Sequence, residues 1–391
     1  MSLTPEELLG ISELRKVLGD QIPAELNTEF NLLRWWNGCH GDLNKIKEHF
    51  LCYVQSRKAA GFDGPDLDVT FRDMPARQLF HDAFAFNNFS DTLINSKDNA
   101  VVVYQRVEGM DLKKIARKFT MGDELKLYFG FLESNLRKVL KVEAETGRRS
   151  STVAVTDLQG VSLSDYLNPM GPPMKLMKYN MHIWNSWYTL QVSKLYYINA
   201  PTMVSVLYQI AKHLLPAYML ERIHFLHKSE ELLQYIDAEI VPVAFGGKFK
   251  DSSGWSPNPH CCNVVKPIAN SEFYEPGRIW KTENLTPPSL SQDSIKPNKT
   301  VTVMKTVEKE GARLVWQFWC NGDIEFAISR IEGETRTLVH PQFLLGTIKV
   351  PEEGSLVCES GGSYEFQFRN ISSTFFAIKL QHAILAVEPE N

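Results

Sequence analysis

Serine, glycine and lysine stand together at two places where their spacing could support chemistry. Gly160-Val-Ser162-Leu-Ser164 has the first part of a nucleophile elbow, but the second glycine of that motif is missing, which favours a helix-capping role for Ser162. Phe245-Gly-Gly-Lys248 ends in Gly-Lys, but Phe249 stands where a phosphate-binding loop needs Ser or Thr. Neither motif predicts catalysis or nucleotide binding.

Histidine and cysteine also occur close together, in His224-x-x-His227 and in His260-Cys-Cys262. Neither set supplies two separated pairs that could close a tetrahedral zinc site. We therefore predict no catalytic residue, no metal site and no cofactor. A hydrolase built from remote positions stays open as an alternative, and it would require a reactive serine.

The amino-acid composition argues against nucleic acid as a partner. Lys plus Arg number 42 against 46 Asp plus Glu, and the net charge of -4 provides no basic field for nucleic acid. The charged N-terminal segment does not resemble a signal peptide, and no stretch reaches the roughly 18 apolar residues of a membrane span. We expect a cytoplasmic protein with reduced cysteines and, at most, transient peripheral contact with membranes.

The chain changes character along its length. Residues 1–75 have helical patterns, and residues 76–249 alternate short β-branched runs with amphipathic helices, which predicts a largely parallel sheet covered by helices. Residues 250–298 are rich in Pro, Ser and Asn and are expected to be irregular, with the linker placed at 250–269. Residues 270–389 contain strands of period two, which predict a β-sandwich.

The helix predicted after Pro201 is apolar over most of its circumference. Its polar residues Ser205, Gln209 and Lys212 fall on one narrow stripe, so the helix has two apolar flanks. A buried core helix is one interpretation. The other is a lid that covers an apolar ligand and swings toward lipid when it opens.

Two basic clusters lie on predicted helices, Lys113-Lys114 with Arg117-Lys118, and Arg137-Lys138 with Lys141. Their helical spacing places each cluster on one face. We expect solvated helix faces, and docking of these clusters on anionic lipid is the alternative hypothesis.

Several of these segments resemble a known family. The run Lys194-Leu-Tyr-Tyr-Ile-Asn-Ala-Pro201, the closing Val241-Pro-Val-Ala-Phe-Gly-Gly247 and the Asp157-x-x-Gly160 turn are similar to CRAL-TRIO lipid-transfer proteins. Trp316-Gln-Phe318 and Gly362-Ser-Tyr-Glu-Phe-Gln-Phe368 resemble a GOLD (Golgi dynamics) domain, and the combination looks like the supernatant-protein-factor and tocopherol-associated branch. The implied fold is an α/β CRAL-TRIO domain with an N-terminal helical extension, followed by an all-β GOLD sandwich.

The resemblance implies a cavity for one hydrophobic lipid, gated by the helix after Pro201. Leu190 and Glu230 occupy the places where phosphatidylinositol-transfer members have a glutamate and a lysine, so another ligand is expected, with Lys228 as a possible substitute for the lysine. Candidate ligands are a phospholipid, a tocopherol-like molecule or an isoprenoid. The predicted lipid-binding residues are Thr152, Leu190, Met203, Val204, Leu207, Tyr208, Ile210, Ala211, Leu214, Lys228 and Glu230.

The resemblance also leaves a second function open. The chain could be an adaptor or signalling regulator that transfers no lipid and binds a protein partner through its GOLD domain. The two functions differ in whether the purified protein carries lipid.

Overall fold

The computed structural model describes residues 3–64, 67, 83–86, 93–162, 166–201, 204, 208, 212, 217–250, 265–371 and 375–389. Three helices open the chain: α1 (Pro5–Leu18), α2 (Glu29–Gly38) and α3 (Leu43–Ala59). Each follows a side-chain cap. The Thr4 hydroxyl accepts a hydrogen bond from the Glu7 amide, and Thr28 and Asp42 cap α2 and α3 in the same way. The predicted N-terminal helices are therefore confirmed.

A six-stranded mixed sheet follows, with β1 (Ala85–Phe86), β2 (Ile94–Asn95), β3 (Ala100–Arg106), β4 (Thr152–Asp157), β5 (Val192–Ile198) and β6 (Ile223–Leu226). The strand order is β1-β3-β4-β5-β6, and β2 also pairs with β3. Strands β3 to β6 are parallel, as predicted, whereas β1 and β2 run antiparallel to β3. The sheet is consequently mixed at one edge.

Helices connect the parallel strands: α4 (Leu112–Lys118) and α5 (Met121–Thr146) between β3 and β4, α6 (Pro172–Trp187) between β4 and β5, and α7 (Ala217–Leu220) before β6. Helix α5 is 26 residues long and is capped by Gly147, which has the left-handed backbone that favours glycine. Its C-terminus lies just before β4, so α5 runs antiparallel to the strands and its N-terminus lies toward their carboxyl ends.

The C-terminal part is a sandwich of two antiparallel sheets. Its strands are β7 (Ser291–Ile295), β8 (Thr300–Val307), β9 (Arg313–Cys320), β10 (Ile324–Glu332), β11 (Thr335–Leu345), β12 (Glu352–Val357), β13 (Gly362–Arg369) and β14 (Ile378–Val387). One sheet has the order β11-β10-β13-β8 and the other β12-β9-β14-β7. The predicted all-β module is confirmed.

The segment before the sandwich is more ordered than predicted. Helix α8 (Arg278–Thr282) lies within the stretch that was expected to be irregular, and Trp280 is buried. The Trp280 indole N–H donates a hydrogen bond to Gln317 Oε1 at 3.3 Å. The expectation of an unpacked lead-in is wrong here because one aromatic side chain anchors the segment on β9.

The sandwich packs directly on the helices. Phe343 of β11 is buried, and its ring lies 6.2 Å from the ring of Phe129 in α5 and 6.2 Å from that of Trp187 in α6. The Ser56 hydroxyl of α3 accepts a hydrogen bond from the Gln342 amide. One apolar core therefore continues from the N-terminal helices through α5 and α6 into the sandwich.

Candidate functional site

The two faces of the parallel sheet differ in how completely they are covered. On one face, the side chains of Val102, Val153, Val155, Tyr196 and Ile198 are at most 2% exposed. Leu232, Ile236, Val241 and Phe245 pack on this face and form one core cluster with it. We call it the sealed face, because it leaves no room for a ligand among these side chains.

Side chains alternate along a strand, so the residues between those of the sealed face point to the other side. Next to α5 this second face is also closed, where Val101 contacts Val139 and Val142. Farther along the strands the second face is not closed. Accessible surface remains on Ala154, Thr156, Leu195, Tyr197, Ile223 and Phe225. The parallel register brings these residues of β4, β5 and β6 side by side, and we call them the open face.

Aromatic side chains surround the open face. The rings of Tyr197 and Phe225 stack at 5.5 Å, and Tyr208 meets Phe225 edge-on at 5.2 Å. Burial, and then the nearby Tyr197, raise the pKa of Tyr128 in α5. Tyr128 is therefore surrounded by protein, yet its side chain keeps accessible surface. Tyr128 is thus an α5 residue near the aromatic side chains of the open face.

The predicted gate falls partly within the described residues. Val204 and Tyr208 are helical, Val204 is buried, and the Lys212 amide donates to the Tyr208 carbonyl at 2.8 Å. Tyr208 is brought to the open face by its contact with Phe225. Met203, Leu207, Ile210, Ala211 and Leu214 lie outside the described residues.

Asp157 fixes the place where the gate segment leaves the sheet. Its Oδ1 atom accepts hydrogen bonds from Asn199 Nδ2 and the Gln159 amide, both at 3.0 Å, and its side chain is buried. Asn199 has a positive φ of 51° at the exit of β5, just before Pro201. Asp157 was absent from the predicted binding residues, although its Asp-x-x-Gly turn was noted. Its bond to Asn199 depends on the neighbouring strand and could not be found from local spacing.

The predicted headgroup positions are not brought together. Leu190 lies in the turn before β5, at the amino ends of the strands, with a positive φ of 58°. Lys228 and Glu230 follow β6, at the carboxyl ends, and both are exposed. The Lys228 amide donates to Glu231 Oε1 at 2.8 Å. Because β5 and β6 are parallel, Leu190 and this pair lie at opposite edges of the sheet.

Thr152 lies at the start of β4, on the same side of the sheet as Ala154 but beyond the accessible part. It is 2% exposed, and its hydroxyl oxygen has no hydrogen-bond partner among the described residues. A buried hydroxyl without a partner carries a desolvation cost that a polar ligand group or a water molecule could offset. Thr152 therefore stays a candidate at the deep end of the site.

Some residues of the two basic clusters bind other parts of the chain. Lys114 Nζ donates to the Ile268 carbonyl at 3.0 Å, and Lys118 forms a 2.6 Å ion pair with Glu272. Arg137 donates to the carbonyls of Phe62 and Gly64. The charged groups of these three residues bind other parts of the chain, so a fully solvated face is not what the structure shows for them. Docking of the clusters on anionic lipid stays a prediction.

Two other findings concern the described residues alone. No group of three or more His, Cys, Asp or Glu side chains there could hold a metal ion. In the same ranges no helix combines the length and the apolar character needed to cross a membrane. Cys39, Cys52, Cys320 and Cys358 are free thiols.

Comparison with known proteins places this geometry in context. Residues 95–247 match the family model described as the CRAL/TRIO domain. The chain is 30% identical over 385 residues to the CRAL-TRIO domain-containing protein C34C12.6 of Caenorhabditis elegans, covering 96% of this chain and 93% of the relative. It is 25% identical over 251 residues to the SEC14 cytosolic factor of Eremothecium gossypii, covering 63% of this chain and 78% of that protein. The crystal structure of Sfh5 aligns with a TM-score of 0.47 at 15% identity, covering 73% of this chain and 99% of that one.

Proposed function

The chain belongs to the CRAL-TRIO domain-containing proteins, and we propose that it binds one hydrophobic lipid on the open face of its sheet and transfers or presents it. CRAL-TRIO proteins bind and transfer small lipophilic ligands, and no covalent chemistry is part of the proposal. The protein would work in the cytoplasm and touch membranes transiently. The gate would be the helical segment that contains Val204 and Tyr208.

The observation that carries this proposal is the contrast between the two faces of one sheet. A sheet that served only as a scaffold would be closed on both sides, as parallel sheets generally are. Here the apolar side chains of the sealed face are covered, and the side chains that keep accessible surface there, Lys194 and His224, are polar. On the open face, apolar and aromatic side chains retain accessible surface. Covering them with an acyl or isoprenoid chain would contribute about 0.8 kcal/mol per buried methylene.

The chemistry of the open face supports an apolar ligand. Its side chains, Ala154, Thr156, Leu195, Tyr197, Ile223 and Phe225, include no charged group. Hydroxyls of Thr156 and Tyr197 could orient one polar group of the ligand. We favour a tocopherol-like or isoprenoid molecule, or the acyl chains of a phospholipid, over a ligand held by a charged headgroup clamp.

The test is to fill the open face. Ala154→Phe would place a ring where a ligand would lie, so we expect organic extraction and mass spectrometry to find lipid in the purified wild-type protein and little in the variant. Val153→Phe is the matched control, because it forces the same ring into the sealed face and should destabilise the protein by about 1–3 kcal/mol. If neither the wild-type protein nor the Ala154→Phe variant carries lipid, or if Ala154→Phe carries as much lipid as the wild type, the proposal is wrong.

We further propose that residues 270–389 form a GOLD domain that contacts a protein partner. The two four-stranded sheets support this assignment. A polar cleft of about 270 Å³ lies across one sheet and is a candidate surface for the partner; it is lined by Thr300, Glu325, Ala327, Gln342, Gln367 and Arg369. Glu325 and Arg369 pair there at 3.5 Å and could exchange partners with charged side chains of another protein. If the wild-type protein carried no lipid, an adaptor function would remain.

A further inference from the structure

Two adjacent phenylalanines are strongly exposed in the connection between β13 and β14. Phe375 is 84% exposed and Phe376 is 77% exposed, and no other large apolar side chain of the described residues is as accessible. Exposure of this size costs hydration free energy, so such a pair often marks a surface that meets another apolar phase.

Buried hydrogen bonds anchor this connection. Asn370 is fully buried, and its side-chain amide donates to the carbonyls of Ile295 at 3.0 Å and Phe376 at 3.1 Å. The Asn298 amide donates to the Asn370 carbonyl at 2.9 Å. The phenylalanine pair is thus held beside the turn between β7 and β8. We call this end of the sandwich, with turns 296–299, 321–323, 346–351 and the described part of 370–377, the loop end.

Four lysines lie on or beside the turns of the loop end. Lys296, Lys299, Lys349 and Lys379 are all exposed, and within the described part of the chain no ion pair engages them. The buried carboxylate of this end, Asp323, is already compensated by Lys175 and Lys178 at 2.6 and 2.5 Å. The loop end therefore presents positive charge around two aromatic rings.

The loop end lies on the side of the molecule where the open face is accessible. Its Asp323 binds Lys175, Lys178 and Tyr179 in the first turns of α6. Nearby, Glu352 accepts a 2.8 Å hydrogen bond from the Gly122 amide at the start of α5. Both helices run antiparallel to the strands, so their N-termini lie at the carboxyl edge of the sheet, where the gate segment also begins.

Exposed apolar side chains continue on the part of the chain that leads into α6. Leu167 is 59% exposed, Met170 is 69% exposed, and Met177 within α6 is 37% exposed. Met177 is next to Lys178, whose ammonium group reaches the loop end. The apolar residues of the sheet domain and of the sandwich thus flank the same junction.

We propose that the loop end is a docking surface for an anionic lipid bilayer, with Phe375 and Phe376 inserted at the level of the headgroups and the lysines paired with lipid phosphates. The docking surface would hold the carboxyl edge of the sheet against the membrane. This role rests on the proposed lipid function, whereas the docking itself does not. Aromatic rings favour the boundary between acyl chains and water, and each nearby lysine adds attraction to an anionic surface.

The experiment measures co-sedimentation of the full-length protein with phosphatidylcholine vesicles, with and without phosphatidylserine. We expect binding only to the anionic vesicles, and weaker binding as salt rises. Phe375→Ser with Phe376→Ser should weaken binding by about tenfold or more because apolar burial is lost. Lys296→Glu with Lys299→Glu should weaken it by roughly tenfold or more.

Matched controls lie at the opposite end of the sandwich. Val357 is 61% exposed where β12 ends, and Lys309 is exposed in the turn after β8. Val357→Ser with Lys309→Glu should bind vesicles as the wild type does, and all variants should keep the wild-type melting temperature. Unchanged binding by both loop-end variants, or equal binding to neutral and anionic vesicles, would overturn the proposal and point to a protein partner for the phenylalanine pair.

The same proteins separate this proposal from the proposed function. Lipid carried through purification reports on the open face, whereas vesicle binding reports on the loop end. If the wild type carries lipid and the loop-end variants still dock, the docking surface is wrong and the lipid function stands. If the wild type carries no lipid but docks through the loop end, the docking surface stands without the cavity ligand.

Discussion

One buried carboxylate organises the contact between the N-terminal helices and α5. Glu133 is fully buried and accepts hydrogen bonds from the Tyr53 and Tyr188 hydroxyls at 2.7 and 2.8 Å. Arg57 Nε donates to its other oxygen at 2.6 Å and the same guanidinium reaches Glu25. Two phenol hydroxyls and one guanidinium therefore compensate the buried charge.

Removing that charge should be costly. We expect Glu133→Gln to lower the free energy of unfolding by about 3–5 kcal/mol, because it leaves the Arg57 cation in an apolar core with one partner fewer. Urea denaturation followed by circular dichroism measures this. Glu25→Gln is the control: the Glu25 side chain is 49% exposed, and its loss should cost about 1 kcal/mol or less. Equal costs for the two variants would contradict this interpretation.

A second buried acid predicts the pH dependence of stability. Burial, and then the neighbouring Asp123, raise the pKa of Glu124 to about 8. An unfolded glutamate titrates near pH ~4.3. Between these values the folded chain holds a proton that the unfolded chain has released, so the free energy of unfolding falls as pH rises.

We therefore expect stability to decline from about pH 5 to pH 8, and Glu124→Gln to make that decline shallower. The glutamine cannot ionise, so its burial costs the same at every pH in this range. Chemical denaturation at several pH values gives the slope directly. An identical slope in wild type and variant would show that Glu124 does not titrate in this window.

At the level of elements, the first turn of α5 is in close contact with strand β12 of the sandwich. A Cβ atom at Gly122 would stand 2.2 Å from Glu352 Oε1, and the Gly122 amide donates to Glu352 Oε2 at 2.8 Å. Burial, and then Asp123, raise the pKa of Glu352 well above its ordinary value. A larger side chain at this position would have to displace the buried Glu352 carboxylate.

Gly122→Ala should reverse the usual effect of this substitution. Alanine in a helix is ordinarily about 1 kcal/mol better than glycine, but here the methyl group collides with Glu352, so we expect a net loss of stability. Thermal denaturation of Gly122→Ala in the wild-type and Glu352→Ala backgrounds is the test. The substitution should be tolerated in the second background, and a stabilised single variant would show that the contact is not tight.

Sequence patterns predicted elements better than they predicted the site. Helices with side-chain caps and strands with β-branched runs have clear patterns, whereas β7, β11 and β12 do not: β7 is polar, β12 contains Gly354, and β11 contains Pro341. Period two shows that a strand has two faces, but the layers that cover each face come from distant parts of the chain. Thr156, Tyr197 and Phe225 were therefore absent from the predicted lipid-binding residues, although each lies in a strand.

At the scale of the whole molecule, the sandwich and the helices share one core. Domain boundaries at residues 75, 250 and 270 remain a prediction from composition, and the packing of Phe343 against Phe129 and Trp187 crosses the last two of them. Asp323 adds to the junction: burial raises its pKa, but hydrogen bonds from Lys175, Lys178 and Tyr179 outweigh this and lower it.

We expect a single unfolding transition for the whole chain. Phe343→Ala should lower the free energy of unfolding by about 3–5 kcal/mol, and tryptophan fluorescence and far-ultraviolet circular dichroism should still report coincident midpoints. Val357→Ala, at a position 61% exposed, should stay within about 0.5 kcal/mol of wild type. Two separated transitions would mean that the sandwich folds as an independent unit.

Substitutions on the two faces of the parallel sheet are expected to have different consequences during evolution. Changes on the sealed face are penalised at once through folding, whatever the cell requires of the protein. If the open face binds a ligand as proposed, exchange of a strand residue such as Ala154 or Thr156, whose side chain keeps accessible surface, would cost less stability and would alter the shape and polarity that the ligand meets. One scaffold can in this way acquire new ligand preferences by drift, without first passing through an unstable ancestor.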